Sequence, residues 1–150
     1  MMSLTKNKFI LYSAVVAFLG FLDATYLTIL HLSETIPPCN IGSCEAVLTS
    51  QFSTIFGIPL ALFGSGFYLS VIIVSLLLLT SFRRVFLLLF YALAVWGFVF
   101  SLFLLSLQAF VIHAFCQYCL ISVATSTGIF ILAVLQFRKN KLLTKEENNR

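Results

Sequence analysis

The sequence predicts an all-α membrane protein, a four-transmembrane-helix bundle with its N- and C-termini on the cytoplasmic side and a cysteine pair in an outer loop. Three observations support this fold class: the composition, four long apolar segments, and the placement of Lys and Arg. Hydrophobic residues make up 61% of the 150 residues and charged residues 9%, and the mean hydropathy is +1.08. Soluble domains carry about 25% charged residues, so this composition excludes them.

Four apolar segments are long enough to cross a hydrocarbon core about 30 Å thick, which takes roughly 20 residues per helix. We expect helices at about residues 9–32, 55–80, 85–112 and 117–137. A charged cytoplasmic tail at 138–150 follows, and the whole chain, 1–150, is expected to form a single membrane domain. The first segment exceeds the roughly 7–15 residues of a signal-peptide core, so we expect it to remain as an uncleaved helix.

The cationic residues indicate how the bundle is oriented. All nine Lys and Arg lie before the first helix, between the second and third, or after the fourth. Four spans bring these segments to one side, which the positive-inside rule assigns to the cytoplasm. The pI near 9.0 follows from this bias, so we do not interpret it as nucleic-acid binding. The plasma (inner) membrane of a bacterium fits best, although the endoplasmic reticulum presents the same polarity.

This topology places all four cysteines on the outer, extracytoplasmic face, where disulfides form and persist. Cys39 and Cys44 lie in "PPCNIGSCEAVLTS", and Cys116 and Cys119 lie in "FCQYC" at the start of the last helix. A CxxC at a helix start has a lowered thiol pKa because free N–H groups and the helix dipole favour the thiolate.

Three interpretations of the four thiols remain open: a redox relay, two structural disulfides, and a zinc site. A Cys116–Cys119 bridge closes a short ring and stabilises little, which favours the relay over structural disulfides. Neither His is spaced as a ligand partner, so we expect no metal. The chain also lacks haem, flavin and dinucleotide motifs. A relay embedded in lipid would therefore pass electrons to a membrane quinone, either menaquinone or ubiquinone.

The ordered motifs resemble those of the vitamin K epoxide reductase family, in its bacterial disulfide-oxidising branch. "FLDATYLTILHL", the loop cysteines, "CEAVLTS", "IFGIPLALFG" and "FCQYCL" follow one another over about residues 9 to 137. The DsbB-type oxidases, which also combine four helices with a quinone, carry the CxxC in the first outer loop instead.

The resemblance implies a role for each cysteine. Cys116 and Cys119 match the active-site pair, with Cys119 nearest the quinone and Cys116 exchanging with the loop. Cys39 and Cys44 match the shuttle pair that takes electrons from a separate thioredoxin-fold, DsbA-like redox protein. The order of transfer between Cys39 and Cys44 is left open. Ser50 matches a serine that the family keeps near the loop cysteines and the quinone; its alternative role is a helix N-cap.

Asp23 and Ser53 are further candidates for contact with the quinone. Asp23 is the acidic residue inside an apolar helix, and such residues are costly and commonly functional; the alternatives are a polar contact between helices or a water-accessible end position. Ser53 and Val123 stand where vertebrate family members carry Asn and Tyr, which argues against vitamin K epoxide as substrate. His113 precedes Cys116 by three residues and is a candidate for supporting its thiolate; the alternative is an interfacial histidine at a helix end.

The sequence thus predicts a quinone-dependent thiol oxidase that supports disulfide bond formation. Two alternatives remain. The first is a thiol-driven reductase of a vitamin K-type quinone or epoxide. The second is a non-enzymatic membrane scaffold or transporter subunit with structural disulfides.

Overall fold

The computed structural model describes residues 2–40, 42–81 and 83–148, and its architecture is almost entirely helical. The elements in chain order are α1 (Met2–Leu32), α2 (Cys44–Leu48), β1 (Thr54–Ile55), β2 (Ile58–Pro59), α3 (Leu60–Thr80), α4 (Arg84–Leu107), a π-helical turn (Gln108–Ile112) and α5 (Gln117–Asn148). Four stretches are long and apolar enough to span a membrane: Lys8–Leu32, Leu60–Thr80, Arg84–Ile112 and Gln117–Lys141. The predicted four-helix membrane bundle is confirmed.

Small residues bring the long helices close together. Gly20 of α1 faces the ring of Tyr68 on α3, with no room for a side chain between them. Across α4 and α5, the hydroxyl groups of Ser101 and Ser126 are 2.6 Å apart. Small and hydroxyl-bearing residues are common at such contacts because helices in lipid associate through packing and hydrogen bonds.

The cationic ends of the helices meet at one end of the bundle. The Nζ atom of Lys139, late in α5, lies 5.7 Å from the centre of the Phe9 ring, early in α1. At the opposite end, the loop after α1 meets the start of α5, where the backbone N–H of Asn40 donates to Oε1 of Gln117 at 3.2 Å. The cysteine-bearing segments therefore lie at the end away from Lys139.

The second membrane helix begins later than the predicted residue 55. A small hairpin pairs Thr54 with Pro59 and Ile55 with Ile58, and the two central residues, Phe56 and Gly57, have φ values of 53° and 79°. Positive φ at both positions is characteristic of a type I′ hairpin turn. Both hairpin and helix are apolar here, so hydrophobicity alone could not separate them, and α3 starts only after Pro59.

The last helix extends beyond the predicted boundary at residue 137. Within the predicted tail at 138–150, α5 continues to Asn148; residues 149 and 150 lie outside the described part. Lys, Leu and Glu dominate "KLLTKEEN", and these residues have high helix propensity. The end of the apolar segment marks the end of the membrane span and not the end of the helix.

Candidate functional site

The cysteine loop is held against the turn that leads into α5. Gly42 and Cys116 form an isolated antiparallel bridge, and the N–H of Ser43 donates to the carbonyl oxygen of Phe115 at 2.9 Å. Gly42 has a φ of 87°, and a Cβ atom there would collide with the Phe115 carbonyl oxygen. Glycine thus allows the loop backbone to approach the CxxC segment directly.

Side chains from the first turn of α5 add further contacts to the same loop. The hydroxyl of Tyr118 donates to the carbonyl oxygen of Pro38 at 3.3 Å, and the amide of Gln117 donates to that oxygen at 3.5 Å. The N–H of Asn40 donates back to Gln117. These bonds connect residues about eighty positions apart in the chain, so the loop and the CxxC form one unit.

The four cysteines occupy one hydrophobic cluster. Cys39 and Cys44 are joined by a disulfide, whereas Cys116 and Cys119 are free thiols. Cys44 and Cys116 are 1% and 0% exposed, and Val47 and partly buried neighbours, including Cys39 and Cys119, pack around them. The oxidised pair and the reduced pair therefore share one water-poor environment.

Cys116 lies where α5 begins, and its surroundings stabilise a thiolate. The N–H of Leu120 donates to the Cys116 carbonyl oxygen at 3.0 Å, so Cys116 is the last residue before the helix. A hydrogen bond from the Cys119 thiol lowers the pKa of the Cys116 thiol from 9.0 to about 7, aided by the backbone N–H groups of Cys119 and Tyr118 and opposed by burial. The pKa is lowered in the predicted direction, but its largest cause is the Cys119 thiol and not the N–H groups of the helix start.

The buried side chain of Gln108 connects the turn before the CxxC to Cys116. Its side chain is 3% exposed, and its Oε1 atom accepts the N–H of Cys116 at 3.1 Å. Gln108 is also the first residue of the π-helical turn, a local geometry that occurs frequently at functional sites.

A cavity of about 640 Å³ lies beneath the loop, between it and the membrane helices. Most of its lining is apolar and aromatic, including Phe63, Phe67, Trp96 and Phe100. Its polar lining comprises His31, Ser50, Ser53, Tyr68, Ser101, Gln108, Cys119 and Ser122. Of the two free thiols, Cys119 contributes to the wall and Cys116 does not, so the pair connects the loop disulfide to the cavity.

The candidate residues predicted around the cysteines differ in whether they reach the cavity. Ser50 and Ser53 both line the cavity. Ser50 is not a helix N-cap: it follows α2, and its hydroxyl donates to the Val47 carbonyl oxygen at 2.7 Å. Asp23 makes a polar contact between helices, since its Oδ2 accepts the Ser122 hydroxyl at 3.0 Å. Asp23 is not among the described residues of the wall, although Ser122 is.

His113 and Gln108 illustrate what the sequence analysis missed. His113 is exposed and ends the π-helical turn at φ 53°, and no described hydrogen bond joins it to Cys116. The helix-end alternative therefore describes its position. Gln108 had a signal in the sequence, as an amide within the apolar stretch "SLFLLSLQAFVIHAF", where polar residues are costly unless they have partners.

No described group of three or more His, Cys, Asp or Glu residues is arranged to hold a metal ion. A comparison with curated proteins finds no match for this chain. The model of the vitamin K epoxide reductase family matches residues 11–134, which include the loop cysteines, the hairpin and the CxxC. The match spans most of the sequence and the whole site described above, and the chain therefore belongs to the vitamin K epoxide reductase family.

Proposed function

We propose that this protein is a quinone-dependent thiol oxidase that supports disulfide bond formation, as in the bacterial disulfide-oxidising branch of its family. Membership of the family implies thiol and quinone redox chemistry in a membrane. The proposal adds the direction: electrons move from an external dithiol through Cys39 and Cys44 to Cys116 and Cys119, and then to a quinone.

The contact between the two cysteine pairs carries the proposal. The Cys39–Cys44 disulfide is packed in one cluster with the free CxxC thiols, and Cys119 borders the cavity. The loop pair is therefore placed to exchange with the CxxC, and Cys119 to pass electrons to an acceptor in the cavity. Two purely structural disulfides would need neither the contact between the pairs nor a sulfur at the cavity wall.

The cavity fits a quinone in size and chemistry. Its volume of about 640 Å³ falls within the roughly 300–1,000 Å³ of ligand pockets, which combine apolar walls with a few polar groups. Phe63 and Trp96 of the wall are 48% and 67% exposed on the helix bundle, which supports entry of a lipid-soluble ring from the bilayer. Ser50, Ser53 and Cys119 would contact the head group. Asp23 would act behind the wall, through Ser122.

The chemistry within the protein is thiol–disulfide exchange. A dithiol partner reduces Cys39–Cys44 and becomes oxidised. A loop thiolate then attacks the sulfur of Cys116 in the oxidised CxxC and releases Cys119. When the loop disulfide closes again, Cys116 leaves as a thiolate, and a leaving thiol with a pKa of about 7 departs readily.

The CxxC must finally be reoxidised. A bound quinone supplies an acceptor for two electrons and two protons. Cys116 and Cys119 give up those electrons and protons and form a disulfide, which restores the starting state. Cys119 is the sulfur nearest this acceptor because it borders the cavity.

The charge pattern supports an extracytoplasmic position for the cysteine end, and the family resemblance supports a thioredoxin-like partner. With the nine Lys and Arg on the cytoplasmic side, the cysteine end faces the outside of a plasma membrane. The electron donor would then be a separate, extracytoplasmic thioredoxin-fold protein of the DsbA type.

The proposal is tested by expression in a cell that lacks its own disulfide oxidase, with thiols trapped by an alkylating mass tag. The wild-type chain should keep a thioredoxin-fold substrate oxidised, and Cys116→Ser and Cys119→Ser should abolish this. A variant of either cysteine that still oxidises the substrate would refute the relay. Assays of purified protein with menaquinone, ubiquinone and vitamin K epoxide would separate oxidase from reductase activity.

A further inference from the structure

We propose that Asp23 stores a proton for the reduction of the quinone and delivers it to the cavity through the hydroxyl of Ser122. The inference rests on the proposed function and deepens it, because it assigns a proton donor outside the two cysteine pairs. Asp23 is a carboxyl group within an apolar helix, where an ionisable side chain is costly and commonly functional.

Ser122 connects Asp23 to the wall of the cavity. Its hydroxyl donates to Oδ2 of Asp23 at 3.0 Å, and Ser122 is part of the wall. Cys119, the thiol of the wall, precedes Ser122 by three residues on α5. Residues at this spacing are neighbours on a helix surface, with about 5–6 Å between their Cβ atoms. Asp23 therefore lies one hydrogen bond behind the wall, next to the turn that carries the electron-donating sulfur.

Tyr68 of α3 fixes the main chain at Ser122. Its hydroxyl donates to the Ser122 carbonyl oxygen at 2.9 Å and is 2.7 Å from Oγ1 of Thr125. Tyr68 is 3% exposed, and its ring lies against Gly20, which precedes Asp23 on α1. Three membrane helices thus hold the pair of Asp23 and Ser122, as precise placement of a transferring group requires.

A proton store is needed because Cys116 ionises near neutral pH. Reduction of a quinone to a quinol takes two electrons and two protons. Cys116 and Cys119 hold both protons only while Cys116 is a thiol. The pKa of Cys116 is about 7, so at higher pH the reduced pair keeps one proton, on Cys119. The second proton must then come from another group.

The two half-reactions balance when Asp23 holds that second proton. In the first, the loop dithiol closes to a disulfide, and the CxxC disulfide opens to a Cys116 thiolate and a Cys119 thiol. One proton of the loop dithiol goes to Cys119 and the other to the Asp23 carboxylate. In the second, the CxxC disulfide forms again and its two electrons reduce the quinone. Cys119 gives one proton and Asp23 the other, through the Ser122 hydroxyl, which can accept and donate.

The titratable groups around Asp23 come from both helices that pack against α1. Among the described residues, the charge of Asp23 interacts with Tyr68 on α3 and with Cys116 and Cys119 at the start of α5. His31 lies about two turns further along α1 and lines the cavity itself. His31 is therefore the alternative proton donor that an experiment must separate from Asp23.

The first measurement needs no quinone. An infrared difference spectrum compares the full-length protein in its dithiol-reduced and oxidised states, above the pKa of Cys116. Reduction should produce a carboxylic acid C=O band that is absent from Asp23→Asn. This variant keeps the size of the side chain and an oxygen that accepts the Ser122 hydroxyl. Absence of the band from the wild-type protein, or its persistence in Asp23→Asn, would overturn the inference.

The second measurement follows oxidation of the reduced protein by a short-chain quinone analogue, through the absorbance of the quinone. Above the Cys116 pKa of about 7, Asp23→Asn and Ser122→Ala should slow this step at least about tenfold, since general acids contribute about 10²–10⁴-fold. Below that pKa both thiols carry protons, and the two variants should approach the wild-type rate. Ser126→Ala is the matched control, because Ser126 is 2% exposed and its hydroxyl contacts Ser101 instead.

The control variant should stay within about twofold of wild type at every pH. Slowing of Asp23→Asn that is the same at every pH, or an equal loss in Ser126→Ala, would indicate a structural role and overturn the inference. A pH dependence that changes in His31→Gln and not in Asp23→Asn would assign the proton to His31 and equally overturn it. If the wild-type protein reduces no quinone, the proposed function fails, while the infrared band still decides whether Asp23 takes up a proton.

Discussion

At the scale of single residues, the site depends on the asymmetry between the two CxxC sulfurs. Cys116 is fully buried against the loop disulfide, while Cys119 lines the cavity and is partly exposed. The thiol of Cys119 is the largest cause of the low pKa of Cys116. In the proposed relay, Cys119 would therefore both face the acceptor and make Cys116 a better leaving group.

This asymmetry can be measured from the ionisation of Cys116. With the loop disulfide intact, a Cys119 variant has Cys116 as its remaining thiol, so the ultraviolet absorbance of the thiolate reports that residue alone. Cys119→Ala removes the donor and should raise the pKa of Cys116 from about 7 towards its ordinary value of 9.0. The thiolate fraction at neutral pH then falls. Cys119→Ser keeps a donor and should titrate at lower pH than Cys119→Ala; coincident curves would contradict the account.

Residue types and spacing predicted where the cysteines lie in the fold, but only some of the residues around them. The CxxC signature and the apolar segments place all four sulfurs at one end of the bundle. The partner of Asp23, the hydroxyl of Ser122, is 99 residues away, and the hydrogen bond from the Cys116 N–H to the Gln108 amide oxygen spans a π-helical turn. Such contacts arise from tertiary packing, which hydrophobic periodicity does not encode.

At the scale of elements, the decisive contact is the docking of the cysteine loop on the start of α5. It uses the Gly42–Cys116 bridge and the hydrogen bonds of Pro38 and Asn40 with the first turn of α5. The proposed exchange between the pairs requires direct attack of one sulfur on another. The loop must therefore be held where its sulfurs reach Cys116.

Gly42→Ala tests this docking. The new Cβ atom would collide with the Phe115 carbonyl oxygen at a backbone φ of 87°, and strain of this kind costs about 1–3 kcal/mol. We expect electron transfer from the loop to the CxxC to slow at least about fivefold, measured by mass-tag alkylation after a dithiol pulse. Gly57→Ala is the control. Gly57 also has a positive φ, of 79°, but an added Cβ atom there would meet nothing within 4 Å apart from its chain neighbours. Similar rates for both variants would show that docking is not required.

The membrane spans were predicted because length and apolarity both indicate a helix there. The hairpin before α3 was not predicted because apolarity is equally compatible with a helix. Length and apolarity located all four spans. The hairpin before α3 is as apolar as a helix start, and its turn at Phe56 and Gly57 depends on backbone dihedral angles. The extension of α5 is polar, so the apolarity that marks the membrane span does not extend to the end of the helix.

At the scale of the whole molecule, the end of the bundle that holds Lys139 lies opposite the end that holds the cysteines and the cavity. Lys139 packs near Phe9 at one end, while the loop, the CxxC and the cavity lie at the other. An acceptor dissolved in the bilayer and a donor in the water outside can then meet the protein at the same end. The two cysteine pairs would connect them, with the loop pair towards the donor and Cys119 towards the cavity.

The redox state of the cysteines in membranes with and without quinone tests the central claim most directly. Mass-tag alkylation of the intact protein counts its free thiols while a dithiol donor is present. If the cysteines form a relay to quinone, depletion of quinone should cause thiols to accumulate at Cys116 and Cys119, and added quinone should remove them. Four cysteines that stay oxidised whatever the quinone supply would contradict the relay and indicate structural disulfides.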